Sequence, residues 1–320
     1  MTTFTGFGDK ELTLAMLGMV DGNGHPYSWS AMFNGYEPKE MAKCPFSTIP
    51  DYLSKEPKEN LGIPGAKVTH IWTDDPEDAP KVAAASRIPS VVDRAEDVIG
   101  EVDAVIVATD KGHEHVERCR PFVEAGLPVF VDKPLVDNEP DLAQFRQWII
   151  EQGRPILSSS SMRYCKEYLP YRASTHNLGP LRYVTITTPK TWERYGIHAL
   201  EGMYPIVGPG FVSVRNTGTF ERNVVHLKHA HGMDVVVIAT GDMYGSFGDL
   251  LLCGTKGSTH MKSMDSFFSF KAQLVTFVNY LRSGVYPFPF SQTEELMKLV
   301  IAGIRSREEK GREIPLNEIE

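Results

Sequence analysis

The sequence predicts an α/β chain in two parts: an N-terminal doubly wound parallel sheet, and a C-terminal α+β domain with a large, mostly antiparallel open sheet. Three observations carry this. The first half alternates short apolar runs with helix-like segments. The second half strings short strand-like runs between turn residues, with few helices. The length of 320 residues suits two domains better than one. The domains are expected at 1–155 and 156–320, with the boundary near Gln152–Ser161, which includes the serine run Ser158–Ser161.

Leu12–Met19 reads as the first strand and Lys67–Thr73 as the second. Pro76–Arg87 reads as a helix with proline near its start. Ser90–Val92 is a short strand, Arg94–Ile99 a short helix and Asp103–Ala108 a buried strand. Glu114–Ala125 is a helix that Gly126 ends. Pro128–Val131 is apolar and short, as a strand covered on both faces must be. Asn138–Gln152 is a helix ended by Gly153, and Pro155–Ser158 is the last strand of this half. The alternation is that of a Rossmann-type sheet with helices on both faces. In the second half, strands are expected at Leu181–Thr188, Phe211–Val214, Asn223–Leu227, Asp234–Thr240, Gly245–Leu252 and Ser258–Met261. Helices are expected at Tyr195–Ile206, Phe267–Arg282 and Gln292–Glu309.

Composition narrows the function. The formal net charge of -8 argues against non-specific nucleic-acid or membrane binding, since both need a basic footprint. No apolar run approaches the roughly 18 residues of a membrane span. The first ten residues lack a basic region followed by an apolar core, so no secretory signal is read there. Cys44, Cys119, Cys165 and Cys253 are scattered without CxxC spacing, as expected for reduced thiols in a cytoplasmic protein without zinc or disulfides. His226, His229 and His231 stand close together, but only His229 and His231 would share a strand face, and no metal is expected.

Ligands of open parallel sheets bind at the carboxyl ends of the strands. Asp132 and Lys133 stand there after Pro128–Val131, and Pro134 keeps Lys133 extended. After the first strand comes a turn with Gly18, Asp21, Gly22, Gly24, His25, Ser28 and Trp29, which is not GxGxxG. It reads as an irregular pyrophosphate turn or an ordinary loop, and residues 30–65 are longer than a crossover helix needs. Asp74, just past the second strand, suits the ribose hydroxyls of a dinucleotide and would repel a 2′-phosphate. With Asp75 it equally suits the cap of the helix that follows.

The chain resembles the Gfo/Idh/MocA family of nicotinamide-dependent oxidoreductases over nearly its full length. The likeness rests on Asp103-Ala-Val-Ile-Val-Ala-Thr109, on Gly126-Leu-Pro-Val-Phe-Val-Asp-Lys-Pro134, on Gly196-Ile-His198, and on the tail segments from Phe277 and Ile304. It implies NAD, preferred here, or NADP as cofactor. Thr109, Asp110, His115, Asp132 and Lys133 would line the cofactor together with the glycine turn and Asp74. It implies Lys133 and His198 as the catalytic pair, meeting between the domains. The second sheet would serve assembly as a homodimer or homotetramer. Three departures stand out. Asp132 replaces the usual glutamate. Arg194 stands where an acid normally pairs with the histidine, so Glu193 or Glu201 is expected to orient His198. The segment Thr109-Asp-Lys-Gly-His113-Glu-His115 is out of the usual register. Arg163, Tyr164, Trp192, Glu193, Tyr195 and Tyr204 mix aromatic faces with polar groups and are expected to bind a sugar or cyclic polyol. Hydride transfer at a hydroxyl or keto carbon is the leading expectation. The alternatives are a redox-neutral NAD-dependent glycosidase or lyase, and a non-catalytic nucleotide-binding regulator.

Overall fold

The computed structural model describes residues 4–320. Six strands form the first sheet: β1 (Leu12–Leu17), β2 (Ala66–Trp72), β3 (Ser90–Val91), β4 (Ala104–Val107), β5 (Val129–Val131) and β6 (Ile156–Ser158). All pair in parallel, in the order β3-β2-β1-β4-β5-β6. The order reverses between β1 and β4, which opens a crevice at their carboxyl ends. The strand residues alternate between two buried faces. Leu14, Met16, Ile106 and Phe130 point to one, and Leu17, Val105, Val107 and Val131 to the other. Burial on both sides is why these strands read as unbroken apolar runs.

The first crossover is not one loop. It holds helices α1 (His25–Asn34), α2 (Pro38–Met41) and α3 (Thr48–Lys55), with prolines in the first turns of α1 and α2. Tyr27, Trp29, Ala31, Met32 and Phe33 of α1 are all buried, so the helix lacks the polar face that would reveal its period in sequence. The Asn34 side chain ties its end to β2, donating to Val68 O at 2.8 Å and accepting Val68 N–H at 3.1 Å.

The remaining helices of this half are α4 (Asp78–Ser86), α5 (His115–Glu124) and α6 (Glu139–Arg146). Arg87, rather than a glycine, ends α4 in a left-handed conformation at φ 53°. Asn138 caps α6 by accepting Asp141 N–H at 3.0 Å, and a wider helical turn continues the helix through Glu151.

After the short helix α7 (Leu169–Ala173), the second sheet comprises β7 (Leu181–Pro189), β8 (Phe211–Asn216), β9 (Arg222–His229), β10 (Met233–Thr240), β11 (Asp249–Gly254), β12 (Ser258–Lys262) and β13 (Ile314–Pro315). Its order is β12-β11-β7-β10-β9-β8-β13. Only β7 and β10 pair in parallel; the other neighbours are antiparallel. The strand expected from Gly245 begins at Asp249, because Tyr244–Ser246 curls into a helical turn. The helix expected from Tyr195 opens as a wide turn over Trp192–Gly196 and becomes α8 (Ile197–Val207). Val184, Ile186, Val225, Val235 and Leu250 form the covered face of the sheet, while Tyr183, Val212 and Val224 are exposed on the other.

Two long helices end the chain, α9 (Ser266–Ser283) and α10 (Phe290–Glu308). Phe267, Leu274, Phe277 and Leu281 of α9 pack into the same cluster as Leu14, Trp29 and Phe130, so α9 returns to the first sheet. Leu296, Leu299 and Val300 of α10 join the cluster of the second sheet. Among the described residues, no helix is long and apolar enough to cross a membrane.

Candidate active site

Lys133 is 2% exposed, at the carboxyl end of β5. Its Nζ lies 3.5 Å from Asp132 Oδ2 and 3.7 Å from Asp110 Oδ2. Burial works against the Lys133 ammonium, but Asp132 and Asp110 outweigh it and hold the group above the ordinary lysine range. Lys133 is therefore a fixed cation at neutral pH. Its own charge in turn holds both aspartates below the ordinary carboxylate range against their burial.

Asp132 is the hub of the inner wall. His25 Nδ1–H donates to its Oδ2 at 2.8 Å, Asn23 Nδ2 at 3.2 Å, and Lys133 N–H donates to Oδ1 at 2.8 Å. The His25 ring stacks on Trp29 with centroids 4.2 Å apart. Trp29 is thus a buried platform for His25, and the Ser28 hydroxyl bonds back to His25 O.

Gly18 has φ 86°, and a Cβ there would meet Thr109 Cγ2 at 2.6 Å, so glycine lets the ends of β1 and β4 close on each other. Gly24 serves packing: a Cβ would strike Ile49 and Phe46 at 2.5 Å. The start of α1 has few donors left for a phosphate. Asn23 Oδ1 already accepts His25 N–H at 3.0 Å, and Pro26 has no N–H. Thr109 is buried against Gly18. His115 is buried with Nδ1 2.9 Å from Leu135 O and Nε2 2.9 Å from Thr109 O. Both ring nitrogens face main-chain carbonyls; burial holds the imidazole below the ordinary histidine range, so the neutral ring donates to one of the two and leaves the cofactor no free nitrogen.

Asp74 lies beside Gly18. Its Oδ2 accepts Met19 N–H at 2.9 Å, and Arg118 Nη2 donates to its Oδ1 at 2.6 Å. Next to it a cavity of about 390 Å³ opens, lined by Leu17, Gly18, Trp72, Arg94, Arg118 and Phe122. The hollow is mostly apolar, with Asp93, Glu96 and Glu117 and the guanidiniums of Arg94 and Arg118 in its lining, and such a hollow suits an adenosine. The residues present therefore fit a dinucleotide. Asp74 and this cavity would hold its adenosine, the turn from Gly18 to Gly24 its phosphates, and the wall around Lys133 its nicotinamide end.

Residues 190–198, running from the end of β7 into α8, close over this wall. Arg194 grips Asp110 with both arms, Nη2 to Oδ1 at 2.6 Å and Nε to Oδ2 at 3.2 Å, and also donates to Asp21 O at 3.0 Å. Lys190 donates to Gly22 O at 3.1 Å. Tyr195 lies with its ring centroid 5.3 Å from Lys133 Nζ and 4.7 Å from the His198 ring. His198 is 3% exposed, in the first turn of α8, with Nδ1 2.6 Å from Ser160 Oγ. Burial, then the nearby Lys133 cation, push its imidazole well below the ordinary histidine range. His198 is therefore neutral at pH 7.

Other expected substrate ligands are engaged elsewhere. Trp192 is fully buried and donates to Val300 O of α10 at 2.8 Å. Glu193 pairs with Arg307, and the Tyr204 hydroxyl donates to Glu295. Arg163, 5% exposed, pairs with Glu201 and donates to Gln292 at 3.0 Å. Neither Glu193 nor Glu201 orients His198 directly; Glu201 reaches it only through Ser160, whose N–H it accepts at 3.4 Å. The Tyr164 hydroxyl lies 3.3 Å from Ser159 Oγ. Asn23, Ser160 and Lys190 were not legible as site residues. Their partners lie 38 to 168 positions away, and no local pattern marks such contacts.

Residues 51–157 match the sequence model of a family described as an oxidoreductase family with an NAD-binding Rossmann fold. Inositol 2-dehydrogenase 1 of Saccharopolyspora erythraea is 33% identical over 106 residues, which are 32% of this chain and 31% of that protein. The alignment thus spans about a third of the relative's length. A probable dehydrogenase of Thermotoga maritima superposes with a TM-score of 0.75 at 16% identity, over 97% of this chain and 100% of that one. The myo-inositol dehydrogenase of Lactobacillus casei, solved with NAD(H) and myo-inositol, gives 0.73 at 13% identity over 95% and 96%. An oxidoreductase of Agrobacterium radiobacter, solved with NAD+, L-tartaric acid and magnesium, gives 0.75 at 14% identity over 97% and 100%. These superpositions bear on the fold alone: the same overall fold over 95–97% of the chain.

Proposed function

We propose, from the match of residues 51–157 to the NAD-binding Rossmann region of the Gfo/Idh/MocA oxidoreductases, that the protein is an NAD-dependent oxidoreductase of that family acting on a hydroxyl or keto carbon of a sugar-like substrate. The observation that carries this reading is the meeting of Lys133 and His198, from different domains, around the single ring of Tyr195. When bound, the nicotinamide accepts or donates the hydride. Lys133 supplies a positive charge that needs no reorganisation, set to stabilise the oxyanion that develops as the hydroxyl loses its proton. His198 is the neutral acceptor of that proton. Its Nδ1 is paired with Ser160 Oγ at 2.6 Å, and in the tautomer that carries the proton on Nδ1 the Nε2 lone pair is left for the substrate. Tyr195 and the closed second domain keep water from the reacting carbon.

The dehydrogenase relatives named above include ones solved or named with inositol, which supports a polyol or sugar as the substrate class. Copies of the chain would pair through the open face of the second sheet, where Tyr183, Val212 and Val224 are exposed. A panel of sugars, polyols and their oxidised forms, supplied with NAD and followed by the absorbance of NADH, tests the reading. Turnover with a change in absorbance is expected. Turnover with none would replace it with the redox-neutral alternative, and NAD binding without turnover of any compound would favour a regulator.

Asp74 gives a separate prediction. Its removal costs NAD the ribose acceptor and frees Arg118, now paired with Asp74, to meet a 2′-phosphate. Asp74→Ala should weaken NAD about tenfold or more, as expected for charge-assisted hydrogen bonds, and leave NADP equal or tighter, both measured by calorimetry. Equal losses for the two would remove the preference for NAD.

A further inference from the structure

Lys190 follows β7 in a left-handed conformation (φ 59°), which a non-glycine residue adopts rarely. This backbone carries its ammonium into the cleft, 4.2 Å above the Tyr195 ring centroid. The same ring faces Lys133 and His198. Lys190 therefore shares the Tyr195 ring as a neighbour with the proposed reacting groups.

Its charge is unmatched. Lys133 has Asp110 and Asp132, and Arg194 has Asp110. Among the described residues, Lys190 has no carboxylate at ion-pair distance; its protein acceptor is the carbonyl of Gly22. Burial and the neighbouring Arg194 and Lys133 hold the ammonium down to about 8, against the pull of Asp110 and Asp132. A half-buried cation without a counter-charge is costly, and a ligand that supplies the charge recovers that cost. A neutral polyol cannot supply it.

We propose that Lys190 is a specificity-determining residue, and that the cleft takes a substrate with a carboxylate near the reacting hydroxyl: a sugar acid rather than a neutral sugar. The proposal rests on the redox reading of the cleft given above. Because Lys190 also touches the glycine turn, the other source of anionic oxygen is a phosphate of the dinucleotide, and the experiment separates the two.

The matched pairs D-glucuronate with D-glucose, and D-galacturonate with D-galactose, are compared in wild type, Lys190→Met and Lys190→Arg. Three quantities are read: kcat/KM with NAD, the thermal shift each compound induces in the NAD-loaded protein, and the affinity for NAD and ADP-ribose. Wild type should favour the acids. Lys190→Met should lose about ten- to a hundredfold of that preference, the range of a charged hydrogen bond, with NAD and ADP-ribose affinity unchanged, and Lys190→Arg should keep most of it. A wild-type preference for the neutral sugars, or a Lys190→Met protein that weakens ADP-ribose while the acid preference stands, would overturn the proposal. If no compound turns over, the redox reading fails by itself. The thermal shift still decides the role of Lys190: an acid-induced shift lost in Lys190→Met upholds it, and no shift in wild type refutes it.

Discussion

Lys133→Met lowers kcat with a cognate sugar substrate by about 10²–10³-fold, the usual cost of removing one pre-placed electrostatic group from an active site. The reason is the setting of the ammonium. It is 2% exposed and fixed between Asp110 and Asp132, so its charge acts in a region that water does not screen. Removing it also leaves two buried aspartates with fewer counter-charges. Asp132 keeps His25 and Asn23, and Asp110 keeps Arg194, so the variant folds but unfolds at lower temperature. Lys133→Arg separates the two effects. It keeps the counter-charge and therefore most of the stability, but it moves the donor away from the reacting oxygen, so activity stays low. Near-normal kcat in Lys133→Met would end the catalytic assignment.

Arg163→Met should destabilise the fold by about 3–5 kcal/mol, the range for removing one partner of a buried ion pair. The guanidinium pairs with Glu201, bonds Gln292 at 3.0 Å and lies 4.0 Å from the Phe288 ring centroid. Without it the Glu201 carboxylate is buried and uncompensated. Burial already pushes that carboxyl above its ordinary value despite Arg163, and loss of the cation pushes it further. The folded variant then binds a proton that the unfolded chain releases above its ordinary value near 4.5. Its stability therefore falls as pH rises, and the deficit against wild type is larger at pH 8 than at pH 5.5. Chemical denaturation at both pH values measures this. A variant as stable as wild type that instead loses substrate affinity would make Arg163 the substrate ligand the sequence suggested.

The two sheets were legible because their strands obey a short period and lie between strong turn signals. Gly126 and Gly153 mark helix ends, and both take positive φ. The crossover helices α1 to α3 were not legible, because α1 is buried from Pro26 to Phe33, its serines included, and so shows no amphipathic period, and prolines punctuate the segment. At the site, Lys133 and His198 were visible through the motifs around them. Trp192, Glu193 and Tyr204 have the right chemistry for a sugar, but their polar atoms face α10, Arg307 and Glu295. Composition lists donors; it does not say where they point. Lys190 shows the converse, a site residue that nothing near it in sequence announces.

The most direct test is a crystal structure of the protein with NAD. The adenosine is expected beside Asp74 and the nicotinamide ring against Tyr195, with its reactive carbon facing the space between Lys133 and His198. A nicotinamide ring lying away from both residues, or a dinucleotide bound outside the crevice between β1 and β4, would contradict it.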